Sequence, residues 1–175
     1  SETLLHPVVL VALLLTLALL WVLPRRYAVF PVVSLIILFP LAQQIYVGGV
    51  HLFVARIAIL MGLLRSAATS AGPGEKWLGG GTNGIDKAFI LCILAEAIAV
   101  MLLFHDGAAV INQVGFIWDW LGGYLLLRSF IREEQDVYAV LKIVAIVTIP
   151  IAALMIVEQM KMYNVFSDLG GVPVA

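Results

Sequence analysis

LHPVVLVALLLTLALLWVL, residues 5–23, runs for nineteen residues without a charge. As a helix rising 1.5 Å per residue it would be about 28 Å long, close to the roughly 30 Å hydrocarbon core of a bilayer. Five more apolar runs follow it, near residues 28–46, 50–65, 88–104, 108–127 and 138–158. The pattern predicts an all-α fold, a polytopic membrane helix bundle with about six transmembrane helices. Composition points the same way: 63% of the 175 residues are hydrophobic and 12% charged, against roughly 45–50% and about 25% in soluble domains. That excludes a water-soluble globular fold. A net charge of -1 gives no basic footprint for nucleic acid, and so hydrophobic a chain is not disordered. The lipid bilayer is the first expected partner.

The flanks of the first run decide how it is used. Glu2 precedes it where a signal peptide would carry basic residues, and Arg25 and Arg26 follow it without a small-residue cleavage site, so it reads as a retained span. Lys and Arg collect in cytoplasmic loops. Here they stand after the first run (Arg25, Arg26), around the loop after the third (Arg65, Lys76, Lys87) and around the loop after the fifth (Arg128, Arg132, Lys142). The connections QIYVGGVH at 44–51 and HDGAA at 105–109 hold no Lys or Arg and are placed outside. Both chain ends then lie outside. That unusual start, together with Ser1 in place of Met, leads us to expect a single transmembrane domain over residues 1–175 that is a fragment of a longer membrane protein. Pro31, Pro40 and Pro150 are expected to kink or open their helices. Residues 66–87, SAATSAGPGEKWLGGGTNGIDK, read as a Gly/Ser-rich cytoplasmic loop. The loop lacks the Gly-Lys-Ser/Thr of a phosphate-binding P-loop. No internal repeat is evident. The single cysteine, Cys92, allows neither an internal disulfide nor a CxxC metal knuckle.

Ionisable residues within apolar runs carry the most information, because each costs about 2.5–3.5 kcal/mol at the bilayer centre. Arg56, Glu96 and Asp119 qualify. Counting from the outer helix ends places Arg56 about 9 Å deep and the two acids about 13–14 Å deep. At those depths they can meet, either as a polar cavity in which Arg56 holds a phosphate, or as a charge-satisfied packing contact. Asn112 and Gln113 would extend a polar stripe outward. Further along, Glu158, Lys161, Asn164 and Asp168 share a helical spacing, which gives one polar face leaving the membrane, bordering a headgroup or glycan or simply solvated. Arg56, Glu96, Asp119, Glu158 and Asn164 are therefore the candidate substrate-binding residues. No catalytic residue is assigned. His6, His51 and His105 fall at outer ends without metal-ligand spacing and read as interfacial anchors, so no metal or other cofactor is expected. Trp21 fits an aromatic belt, whereas Trp77, Trp118 and Trp120 lack the context of a sugar platform.

The run GGYLLLRSFIREEQDVYAVLK, an apolar helix, and then VEQMKMYNVFSDLGGVP resemble the middle of bacterial O-antigen ligases and Wzy-type polysaccharide polymerases. Arg128, Asp136, Glu158, Asn164, Phe166, Gly170, Gly171 and Pro173 match the family's order of an Arg-bearing helix, an Asp-led loop, another helix and a Glu…Asn-x-Phe…Gly-Gly-x-Pro segment. The match covers about residues 122–173, and ARIAILMGLLR at 55–65 is weakly similar to a family helix. The resemblance implies a multi-pass enzyme of the bacterial inner membrane, working without a metal in surface polysaccharide and exopolysaccharide biosynthesis. Such a glycosyltransferase takes glycan from an undecaprenyl diphosphate carrier at the periplasmic face. It also implies that further C-terminal helices and a catalytic periplasmic loop belong to the same protein, outside this stretch. The alternative from another class is a small non-enzymatic transporter or assembly subunit, with Arg56, Glu96 and Asp119 lining its path.

Overall fold

The computed structural model describes residues 5–40, 43–47, 50–70, 77–78 and 81–162. The chain is helical, with seven α-helices, one π turn and a short two-stranded hairpin among the described residues. In chain order these are α1 Pro7–Val22, α2 Arg25–Leu38, β1 Gln44–Val47, β2 Val50–Phe53, α3 Val54–Thr69, α4 Gly84–Phe104, α5 Gly107–Ile117, the π turn Trp118–Gly122, α6 Gly123–Phe130 and α7 Glu134–Lys161. They form two compact units, Ser1–Gly62 with Glu133–Ala175, and Leu63–Arg132.

In the first unit α2 packs against both α1 and α7. Proline sets the ends of α1 and α2. Pro7 opens α1 at a position where its missing N–H has no helical partner, and Pro24 is the N-cap of α2. Pro31 and Pro150 sit inside α2 and α7, and both helices continue past them. Where the apolar pattern predicts helix over 28–46 and 50–65, α2 instead stops at Leu38 before Pro40, and an antiparallel hairpin pairs Gln44 with Phe53 and Ile45 with Leu52. Apolar, β-branched and aromatic residues on either side of Gly48-Gly49 suit a hairpin better than a helix. Tyr46 faces His51 across the ladder with ring centroids 5.0 Å apart. Gln43, fully buried, accepts the His6 amide at 2.9 Å through Oε1 and ties the start of α1 to this hairpin.

The second unit is built on α4 and α5, packed as a hairpin across His105, which takes a left-handed φ of 48° to cap α4. The run expected at 108–127 is three consecutive pieces, α5, the π turn and α6. Helix also takes in both ends of the stretch 66–87, since α3 runs to Thr69 and α4 starts at Gly84.

Two helices, α4 and α7, are long and apolar enough to cross a membrane, and α1 is a shorter apolar helix. In the most apolar 18-residue window of α4 and of α7 only 11% of the residues are buried. Each helix buries one narrow seam: Asp86, Ile93 and Ala97 on α4, and Asp136, Ile143 and Val147 on α7. The two sets have the same spacing, an acid followed by apolar residues seven and eleven positions on, and lie fifty residues apart in sequence. This is an internal echo that the sequence alone does not display.

Candidate functional site

The charged residues that the structure organises most tightly stand at the starts of these two long helices. At α4, Gly81 turns the chain with a φ of 77°, and Asn83 then caps the helix. Asn83 Oδ1 accepts the Asp86 amide at 2.8 Å, while Asp86 Oδ2 accepts the Asn83 amide at 2.7 Å, a reciprocal capping box. Asp86 is 1% exposed. Its Oδ1 accepts the Tyr124 hydroxyl, whose ring stacks on Phe89 at 4.4 Å, and lies 3.4 Å from Arg128 Nε. Arg128 also donates to the Gly81 carbonyl at 3.5 Å. Beside it, Arg132 donates to Ser70 Oγ at 3.0 Å and to the carbonyls of Ser129 and Trp77. Arg65 is buried with its guanidinium 5.9 Å from the Phe130 ring centre. The end of α3, the start of α4 and the end of α6 thus meet at one polar end of this unit.

The first unit repeats the device with other partners. Asp136, 2% exposed, occupies the third position of α7, and its Oδ2 accepts the Glu133 amide at 3.2 Å. Arg25 Nη2 donates to Oδ2 and Arg26 Nε to Oδ1, both at 3.2 Å, and Arg26 reaches Gln135 Oε1 at 2.9 Å. Glu133 adds two long ion pairs of 3.9 and 4.0 Å, weak ones because its side chain is 62% exposed. An acid in the first turn favours a helix start through its orphan amides and the helix dipole. The arginines make burial of that acid affordable by pairing with it. Asp86 escapes a reading of 66–87 as loop, although Asn-x-x-Asp before an apolar run is the signal that finds it.

The candidate substrate-binding residues are distributed over both units. Arg56 and Glu158 belong to the first, and Glu96 and Asp119 to the second. Arg56 lies in the first turn of α3, nearer the helix end than six residues of preceding helix would put it, because β2 occupies residues 50–53. It is half-buried, with its guanidinium 4.7 Å from the Phe53 ring centre. Glu96 is exposed on α4 and makes no ion pair among the described residues. Asp119 is exposed on the π turn, a rare widening of the helix that recurs at functional sites; Phe116 and Trp120, which flank it in sequence, have their rings 6.0 Å apart. Asn112 and Gln113 precede it on α5. Glu158 is half-buried in the last turns of α7, and Asn164 lies outside the described residues, as do Phe166, Asp168, Gly170, Gly171 and Pro173.

Each histidine has a local place. His6 Nδ1 accepts the Val8 amide at 3.2 Å, the His51 ring lies tilted against Tyr46, and His105 caps α4. No group of three metal-ligating side chains is gathered among the described residues.

No protein-family model matches the chain, and comparison with curated proteins and with solved structures likewise gives no match.

Proposed function

We propose that this chain is the membrane-embedded N-terminal part of a glycan polymerase or ligase, which transfers glycan from an undecaprenyl diphosphate carrier at the periplasmic face of the bacterial inner membrane. The observation that carries the membrane part of this reading is the exposure of α4 and α7. A core helix of a soluble protein is mostly buried, whereas Leu91, Leu103 and Ile149 are 69%, 72% and 68% exposed along these two. Lipid or neighbouring helices would cover them. With about six spans, the two acid-capped helix starts and their arginines face the cytoplasm under the positive-inside rule. The gathering of Arg65, Arg128 and Arg132 at one end of the second unit, and of Arg25 and Arg26 at the start of α7, supports that orientation.

For the glycan carrier, support comes from Arg56 and from the order of residues that resembles the ligase and polymerase family. Arg56 stands in the first turn of α3, where the helix's own positive end reinforces the guanidinium, an arrangement that suits a diphosphate. Arg128 and Asp136, two matching residues, hold helix termini here and carry no chemistry in this reading. Glycan transfer by cells expressing the whole protein with Arg56→Ala or Glu158→Ala, at matched membrane levels, tests it. Loss of transfer is expected for Arg56→Ala; full transfer by both variants removes these residues from the site.

The fifty-residue echo between α4 and α7 favours a second reading, a transporter or assembly subunit, since repeated helices are a habit of transporters. Uptake of a charged solute by liposomes holding the 175-residue chain is expected only under that reading.

A further inference from the structure

Between α2 and α7 the first unit carries an open groove of about 530 Å³, with Phe30, Ile143 and Ile146 along its wall, Arg26 and Tyr138 toward the start of α7, and Lys142 one helical turn beyond Tyr138. A second, apolar groove of about 360 Å³ continues it from Phe30 and Ile146 to Leu38 and Pro150. From Arg26 to Leu38 the path follows twelve residues of helix, about 18 Å, which matches one leaflet of the hydrocarbon core at roughly 15 Å.

The charge at the polar end selects the occupant. Arg26 already shares Asp136 with Arg25. Lys142 is exposed, makes no ion pair among the described residues, and lies eight residues beyond the start of α7, about 12 Å along it. A lysine at that depth must reach the headgroups or meet an anion. A tyrosine at the same end is the side chain of a membrane interface. A partner helix would answer that charge only by burying a carboxylate of its own against it, and a neutral lipid would leave it unanswered, whereas an anionic headgroup answers it from the membrane surface.

We propose that this groove seats an anionic glycerophospholipid, its phosphate at Lys142 and Arg26 and one acyl chain running past Phe30 and Ile146. The proposal rests on the membrane reading and is independent of glycan transfer, so losing transfer in Arg56→Ala leaves it untouched.

Native mass spectrometry of the full chain in mild detergent, titrated separately with phosphatidylglycerol and phosphatidylcholine of identical acyl chains, tests it. Phosphatidylglycerol is expected to bind more tightly. Lys142→Gln is expected to weaken it about fivefold, the usual effect of one cation beside anionic lipid, with phosphatidylcholine unchanged; Lys142→Arg keeps the preference. Ile146→Trp, which fills the groove, lowers binding of both lipids. An unchanged preference in Lys142→Gln, or undiminished binding in Ile146→Trp, overturns the proposal. Displacement of phosphatidylglycerol by an equal concentration of a polyprenyl phosphate also overturns it, by giving the groove to a carrier lipid.

Discussion

The starts of α4 and α7 use the same acid in the same place and balance it differently. Asp86 is held by a reciprocal capping box, a neutral tyrosine hydroxyl and one arginine at 3.4 Å. Asp136 sits in a capping box of its own with Glu133, and in place of the hydroxyl it faces two arginines at 3.2 Å. A buried carboxylate can therefore be satisfied mainly by hydrogen bonds or mainly by charge, and the two cases respond differently to substitution. In both, the acid also fixes the rotation of its helix, because the buried residues seven and eleven positions on lie on the same face.

Asp136→Ala should have the largest effect, about 3 kcal/mol, since it strands two adjacent guanidinium groups. That is the lower end for a broken buried pair, because both arginine side chains are more than a third exposed. Unfolding in mild detergent, followed by circular dichroism, measures it. In the same assay Asp136→Asn should destabilise more than Asp86→Asn, because Asp136 faces two arginines and Asp86 one. The reverse order breaks the distinction. Next, Tyr124→Phe should cost about 1.5 kcal/mol, the lower end for a hydrogen bond to a charged group. Asn83→Ala should cost about 1 kcal/mol as the loss of an N-cap, whereas Glu133→Ala, at an exposed side chain, should stay within about 0.5 kcal/mol. Arg25→Gln and Arg26→Gln taken singly should also be small, each under about 1 kcal/mol because the other remains. The double variant should exceed their sum, which a double-mutant cycle reads directly.

Much of this was legible in the residues. Apolar runs mark the helices, and clusters of Lys and Arg mark the polar ends that the structure assembles around Asp86 and Asp136. Residues 44–53 were not legible as a hairpin, because a short apolar run without a clean period fits helix and strand alike until Pro40 and Gly48-Gly49 are given weight. The partners of Asp86 were hidden for a different reason. Tyr124 and Arg128 lie 38 and 42 residues further on, and only the packed unit brings them back. Nor does Trp-Asp-Trp-Leu-Gly announce a π turn, since the extra residue per turn is a property of the ladder and not of composition. Arg56 stands out by its charge in an apolar run, but its depth depends on where the helix starts, and β2 displaces that start.

In the proposed function α4 crosses a membrane with its acid-capped start in the cytoplasm. Thr82 precedes its cap and Asp106 follows its end, so a cysteine placed at each position in a Cys92→Ser background reports the two sides to a membrane-impermeant maleimide. With that topology, Asp106→Cys is labelled in spheroplasts with intact inner membranes and Thr82→Cys only after permeabilisation. Labelling of both from the same side, or release of the chain from membranes by an alkaline wash, would contradict it.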